Sequence, residues 1–272
     1  MKQKIKKYTK KIMELFSKPE LSILPGNIAF NIVLAFFPFL ILIILIVSSF
    51  KVDINSVITL INNFLPEKAS ELVIDIISGK GFDSNVGIFV VIGLVIATNG
   101  TYSIITASNT LYGIKENDII KDRIKSVIIL FIILILFLFL IIVPLFGEKI
   151  LGLIKNIDIF KNIFPQIIFI FKLVQWPITY LIVYFNIKLI YAIAPSKTIE
   201  SETTSYGGMF TTVLWIISTI IFKYYLSYFA KYDIIYGNLS SIIILMIWLY
   251  LLATVFVLGM AINVSKYEHK HK

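Results

Sequence analysis

Two histidines, sixteen carboxylates and no cysteine are the whole stock from which this 272-residue chain could build a catalytic or metal centre. His269 and His271 both lie in the terminal YEHKHK. There they read as a solvated basic tail near anionic headgroups, with a weak surface metal site as the alternative. Glu71 with Asp75, and Glu200 with Glu202, are close enough in sequence for acid–base work, but read most simply as solvated helix and loop faces. No phosphate loop, dinucleotide fingerprint, nucleophile elbow or HExxH pair occurs. Without cysteine there is no thiolate nucleophile, disulfide or Cys metal site. No catalytic residue, metal or cofactor is therefore expected. Lipid chemistry at the outer interface through Glu67, Glu71 or Asp75 is the one enzymatic reading left.

Uncharged polar residues are better ordered. Asn99, Ser103, Thr106 and Thr110 follow i, i+4, i+7, i+11, with Asn109 beside them and Gly93, Ala97 and Gly100 keeping the segment slim. Asn27, Asn31, Ala35 and Pro38 repeat the pattern, as do Gly208, Thr212, Trp215, Thr219 and Lys223. Such stripes either glue helices together, at roughly 0.6 to 2 kcal/mol per interhelical hydrogen bond, or converge on a polar cavity open to one leaflet. The cavity candidates are Asn27, Asn31, Asn99, Ser103, Thr106, Asn109, Lys188, Thr212, Trp215 and Thr219. Lys188, about six residues from the inner end of its segment, either snorkels or faces a pocket.

The elements that carry these stripes are apolar runs of membrane length. The chain is 58% hydrophobic and 15% charged, with a mean hydropathy of +0.91, against about 25% charged in soluble domains. About twenty residues cross a ~30 Å hydrocarbon core. Six such runs are expected, near 27–50, 86–112, 126–146, 166–194, 207–230 and 240–264. Residues 1–26 form a basic segment before them and 266–272 a basic tail. Lone prolines at Pro38, Pro144 and Pro177 would kink the first, third and fourth runs without ending them. The third is the purest, and no Asp or Glu falls inside any of the six.

With the N-terminus in the cytoplasm, 16 of the 25 Lys and Arg fall on the cytoplasmic side and nine outside. That asymmetry orients the chain with both termini inside. Between the first two runs, PEKASELVIDIISG places Ala69, Leu72, Val73, Ile76 and Ile77 on one apolar face, the pattern of a short helix lying on the outer surface. EKILGLIKNIDIFKNIF is a weaker case. The fold class is thus all-α, a polytopic transmembrane helix bundle with short amphipathic helices on the outer side. The +9 net charge marks the cytoplasmic face and does not point to nucleic acid.

Four segments carry a resemblance. NIAFNIVLAFFPFLILI, SNTLYGIKEND followed by Arg123 and Lys125, APSK at Ala194 to Lys197, and the closing FKYYLSYFAKYDIIYGNLSSIIILMIWLYLLATVFVLGMAIN are similar to the YihY/BrkB family of bacterial envelope membrane proteins. The likeness covers roughly residues 20 to 265. It implies six helical spans in a bacterial cytoplasmic membrane. It supplies no mechanism, because the family's old ribonuclease BN label is regarded as misassigned and its other associations are with serum resistance, envelope integrity and lipid movement. Two positions depart from the family pattern: Ala261 stands where a Glu is usual, and Asp118 where an Arg is usual. The implied partners are membrane lipids and an amphiphilic substrate, and the sequence is compatible with a homo-oligomer. The leading expectation is a transporter or handler of a lipid or other amphiphile in envelope maintenance. A non-transporting scaffold is the alternative.

Overall fold

The computed structural model describes residues 19–48, 58, 84–115, 118–154, 164–228 and 240–270. The expected surface helix at 66–78 lies outside these residues. Six long helices order the described chain: α1 Pro19–Ser48, α2 Ser84–Leu111, α3 Ile119–Ile154, α4 Phe164–Ile193, α5 Ser201–Tyr228 and α6 Ser240–Lys270. Each apolar run becomes a helix because hydrocarbon offers no partner to an open peptide group, and a helix satisfies its own. Among the described residues, Phe164–Ile193, Ser201–Leu226 and Ile243–Lys270 are each long and apolar enough to cross a membrane. The protein is a helical membrane protein.

The helices outrun the hydrocarbon. At 1.5 Å per residue, α2 with 28 residues and α3 with 36 reach about 42 and 54 Å. Their extra turns differ from the expected segment limits in instructive ways. α3 begins seven residues before Ser126, so it takes in Asp122, Arg123 and Lys125. It also runs on through Glu148 to Ile154, so that part of the expected second surface helix continues α3. α6 extends through Lys266 to Lys270, which makes most of the expected tail helical. α1, α3 and α4 pass through Pro38, Pro144 and Pro177 without interruption.

α1 packs along α2 and α6, α6 against α5, α4 against α5 and α3, and α2 against α3. The core is drawn from five helices: Ile28, Ile105, Ile129, Ile187, Tyr191, Val257 and Met260 are all at most 2% exposed. It lies toward the end of the bundle that also holds Lys115, Lys125, Lys197 and Lys266, called here the basic end. The first half of α4 faces outward instead, with Phe169, Leu173 and Trp176 all more than 60% exposed, as expected of side chains that meet lipid.

The tightest seam joins α5 to α6. A Cβ on Gly207 would sit 2.1 Å from the Gly259 carbonyl oxygen, and one on Gly259 would sit 1.9 Å from Thr211 Oγ1. Only hydrogen fits at either position, and the two backbones touch. Tyr191 locks the seam from α4: its hydroxyl donates to the Phe256 carbonyl at 2.7 Å and lies 2.7 Å from Thr211 Oγ1, whose hydroxyl donates back to it. Asn263 Oδ1 adds a bond from the Gly207 N–H at 2.8 Å. Gly207→Ala or Gly259→Ala should therefore force the helices apart, costing about 1–3 kcal/mol. Gly26→Ala, where the nearest foreign atom is 4.0 Å away, should be tolerated. Thermal unfolding in detergent measures the contrast, and equal melting temperatures would disprove the seam.

Candidate functional site

The α2–α3 turn is built from local rules. α2 ends where Gly113 takes a left-handed φ of 66°, a conformation costly for any side chain. The Ile114 N–H returns to the Asn109 carbonyl at 2.9 Å and the Gly113 N–H to Thr110 at 3.2 Å, which together make a Schellman cap. Asp118 then starts α3. Its Oδ1 accepts from the N–H groups of Ile120 at 3.0 Å and Lys121 at 3.2 Å, the N-cap pattern. The Lys121 backbone, helped by the Lys121 side chain, holds this carboxyl below the ordinary carboxylate range. Asp118 thus starts a helix.

One turn into α3, the Asp122 carboxylate is 1% exposed. Its Oδ1 accepts from the Ser196 hydroxyl at 2.5 Å and its Oδ2 from Asn109 Nδ2 at 3.2 Å. Asn109 Nδ2 also donates to Ser196 Oγ at 2.9 Å, and Asn109 Oδ1 accepts from the Ser196 N–H at 2.8 Å. Around this centre Lys125 Nζ donates to the Pro195 carbonyl at 2.8 Å and Thr101 Oγ1 to the Ser126 carbonyl at 2.7 Å. Segments far apart in sequence, SNTLYG, DRIKS and APSK, meet in one polar knot at the basic end. Tyr112 extends it: its ring stands edge-on to Tyr267 of α6 at 5.8 Å, and Lys197 Nζ lies 4.3 Å over the Tyr267 ring.

Outside the knot, α2 and α3 share a second polar array. Arg123 donates from one guanidinium nitrogen to Asn99 Oδ1 at 2.8 Å and lies 4.2 Å over the Tyr102 ring. Asn99 and Tyr102 are half-buried, and they continue a face of α2 that runs Val91, Val95, Asn99, Tyr102, Thr106, Thr110. The outer part of that face is apolar, with Val91 61% and Val95 55% exposed. The part toward the basic end is polar, with Thr106 and Thr110 exposed and bonded to their own helix carbonyls. Beside it α3 exposes Ile124, Ile128, Phe131 and Ile135.

The ten sequence candidates do not share one place. Asn109 sits in the knot and Asn99 in the Arg123 array. Asn27 and Asn31 bond each other within α1, at 2.6 Å between side chains. Ser103 is buried and donates to the Gly100 carbonyl, and Thr212 is buried and donates to Gly208. Trp215 Nε1 donates to the Leu252 carbonyl at 2.8 Å. Lys188 is half-buried with its Cβ 3.4 Å from where a Cβ on Gly208 would lie. Thr219 lines a cleft of about 450 Å³ between α5 and α6 with Phe222, Lys223, Ile244, Leu245 and Trp248. Thr106 faces outward. The α2 stripe therefore divides between a buried side, with Ser103 and Asn109, and an exposed one, with Thr106 and Thr110. Glu200 and Glu202, read as solvated, both meet Lys270 Nζ of α6. Among the described residues no three of His, Cys, Asp and Glu come together as a metal site would require.

Comparison with known proteins places this geometry. The family described as virulence factor BrkB matches residues 12–272. The chain belongs to that family. It is 28% identical over 253 residues to the ribonuclease-like protein YfkH of Bacillus subtilis, covering 90% of both chains. It is 31% identical over 100 residues to a UPF0761 membrane protein of Coxiella burnetii, 34% of this chain and 36% of that one. A UPF0761 membrane protein of Idiomarina loihiensis is 29% identical over 82 residues, 30% of this chain and 29% of that one. No solved structure matches. Two of the four segments that carried the BrkB resemblance, SNTLYGIKEND with the Arg123 and Lys125 that follow it and APSK, are the ones the knot ties together. Asp122, Arg123 and Ser196 were not picked out by spacing. Arg123 and Ser196 lay within the segments that carried the family resemblance, while Asp122 had no signal of its own beyond standing next to Arg123.

If the knot acts as a unit, Asn109→Ala and Ser196→Ala should each cost about 1–3 kcal/mol, because each leaves a buried polar group short of a partner. The double variant should cost less than the sum by about 0.5 kcal/mol or more. Detergent melting curves give the cycle, and strict additivity would show that the two side chains act separately.

Proposed function

We propose that this BrkB-family membrane protein handles a lipid or other amphiphile, moving it or holding it, in the upkeep of a bacterial envelope. The observation that carries this reading is the graded face of α2 and α3. Toward the basic end it offers a guanidinium, an amide, a phenol ring and threonine hydroxyls. Farther along it offers Val91, Val95, Ile128, Phe131 and Ile135, all exposed. Hydrocarbon alone does not call for polar groups on an outward face, since intramembrane polar and charged side chains are costly and tend to mark sites. A molecule with a polar head and apolar tail matches both halves. On this reading the protein is not an enzyme, needs no cofactor, and has lipid rather than nucleic acid as its partner.

A scaffold is the second reading, and the knot is what favours it, because Asn109, Asp122 and Ser196 are spent on one another. Purified protein in liposomes, assayed for exchange of fluorescent phospholipid between leaflets, separates the two. Handling predicts exchange several-fold above protein-free vesicles, and slower exchange in Thr106→Leu with Thr110→Leu at unchanged melting temperature. No exchange across a panel of headgroups would leave the scaffold.

We also place both termini in the cytoplasm of six crossings, on the Lys and Arg asymmetry and on the gathering of cations at the basic end. Single cysteines in Lys7→Cys, Asp118→Cys, Ser201→Cys and His271→Cys should resist an impermeant thiol reagent in intact cells. Those in Lys80→Cys and Lys155→Cys should label. Labelling of His271→Cys from outside would change the number of crossings by one.

A further inference from the structure

We infer that Arg123 is a phosphate-binding residue for an anionic phospholipid of the leaflet at the basic end. This rests on the proposed amphiphile reading and names its substrate class. A guanidinium carries five N–H donors in a planar fork. In Arg123 one nitrogen is engaged by Asn99 and one face by Tyr102, and the side chain is exposed. Both contacts fix the plane of the fork, and neither occupies its remaining edge. That is how a bidentate phosphate clasp is prepared: orientation is set in advance and the donors stay available.

The surroundings select a lipid rather than a soluble phosphate. Going away from Arg123 toward the opposite end of the bundle, α3 exposes Ile124, Ile128, Phe131 and Ile135, and α2 exposes Ile96, Val95 and Val91. The two helices run antiparallel, so these residues form one apolar strip that begins at the guanidinium. A phosphate on Arg123 would place acyl chains along that strip, in the direction tails take from the leaflet on that side. Lys121, 77% exposed on its side chain and paired with Asp118 at 3.3 Å, lies two residues nearer the helix start. It contributes positive potential and holds no fixed fork.

The test uses the full chain in detergent, with lipid retention read by native mass spectrometry after exposure to phosphatidylglycerol or phosphatidylcholine. Wild type should retain phosphatidylglycerol preferentially. Arg123→Gln should lose that preference by about tenfold in affinity, and Arg123→Lys should recover only part of it, because an ammonium keeps charge without the fork. Lys121→Gln, which removes the same charge nearby, should change little. Melting temperature in phosphatidylcholine should be equal for all four proteins, which keeps misfolding out of the reading. Equal loss in Lys121→Gln and Arg123→Gln would overturn the site in favour of diffuse basic attraction. Unchanged retention in Arg123→Gln would also overturn it. Glycerol 3-phosphate displacing the lipid at similar concentration would overturn a lipid occupant. Leaflet exchange of phosphatidylcholine is scored separately. If wild type fails there while Arg123 still governs phosphatidylglycerol retention, transport fails and this site stands.

Discussion

A carboxylate buried to 1% exposure fixes the rest of the basic end. Removed from water, Asp122 would cost several kcal/mol without hydrogen-bond donors of the right number and direction. Ser196 and Asn109 supply them, and in doing so they set the register of three segments. The Asn109 carbonyl closes the Schellman cap that turns α2 toward α3, while its side chain receives the Ser196 N–H. The Ser196 backbone is thereby held, and with it Pro195, whose carbonyl takes Lys125. α4 must end and α5 must begin where these bonds permit. The short link Ala194–Glu200 is thus positioned by an anion on a different helix.

The same constraint explains why α2 has two polar faces with different character. Its buried side, with Thr98, Thr101, Ser103 and Asn109, turns polar atoms toward neighbouring helices or its own carbonyls. Its outward side keeps Thr106 and Thr110 satisfied by i−4 carbonyls. A threonine bonded to its own helix costs little whether it meets lipid or ligand. Asn99 has no such local solution, and Arg123 provides one from α3. The outward polar face is therefore completed only when α3 starts early enough to bring Arg123 alongside, which the Asp118 cap and the Asp122 knot together ensure.

Reading from sequence reached the helices readily and the site only in part. Runs such as VIILFIILILFLFLIIVPLF leave no alternative to a helix, because length and hydrocarbon decide the matter. Helix ends were less legible: Ile119 to Lys125 is charged enough to look like a loop, yet Asp118 caps it and its polar side chains find partners across the bundle. Periodicity singled out Asn99 and Asn109 correctly as residues on one helix, but spacing of about 100° per residue cannot separate a buried side from an exposed one when both carry small polar groups. Nor can it pair Asn109 with Ser196, 87 positions away. SNTLYG, with Arg123 and Lys125 after it, and APSK were visible as segments of the resemblance. Their meeting in space depends on how α2, α3 and α4 pack.

Away from the basic end the described contact between α5 and α6 changes character, and side-chain size shows how. α5 and α6 run antiparallel, and their facing residues grow steadily along the pair. Gly207 meets Gly259 and Asn263, backbone to backbone. One turn on, Thr211 meets Tyr191 and the Gly259 region. Trp215 then spans to the Leu252 carbonyl and packs on Phe256. Beyond it, Thr219, Phe222 and Lys223 face Ile244, Leu245 and Trp248 across an open cleft. Without a hydrophobic force between helices in lipid, separation follows what lies between the backbones, so this gradient from hydrogen to indole acts as a wedge. The pair is held by hydrogen bonds where small residues meet, and large apolar side chains line the cleft beyond. Of the described contacts in this pair, the hydrogen bonds through Gly207, Thr211 and Trp215 lie toward the basic end, and the cleft lies beyond them.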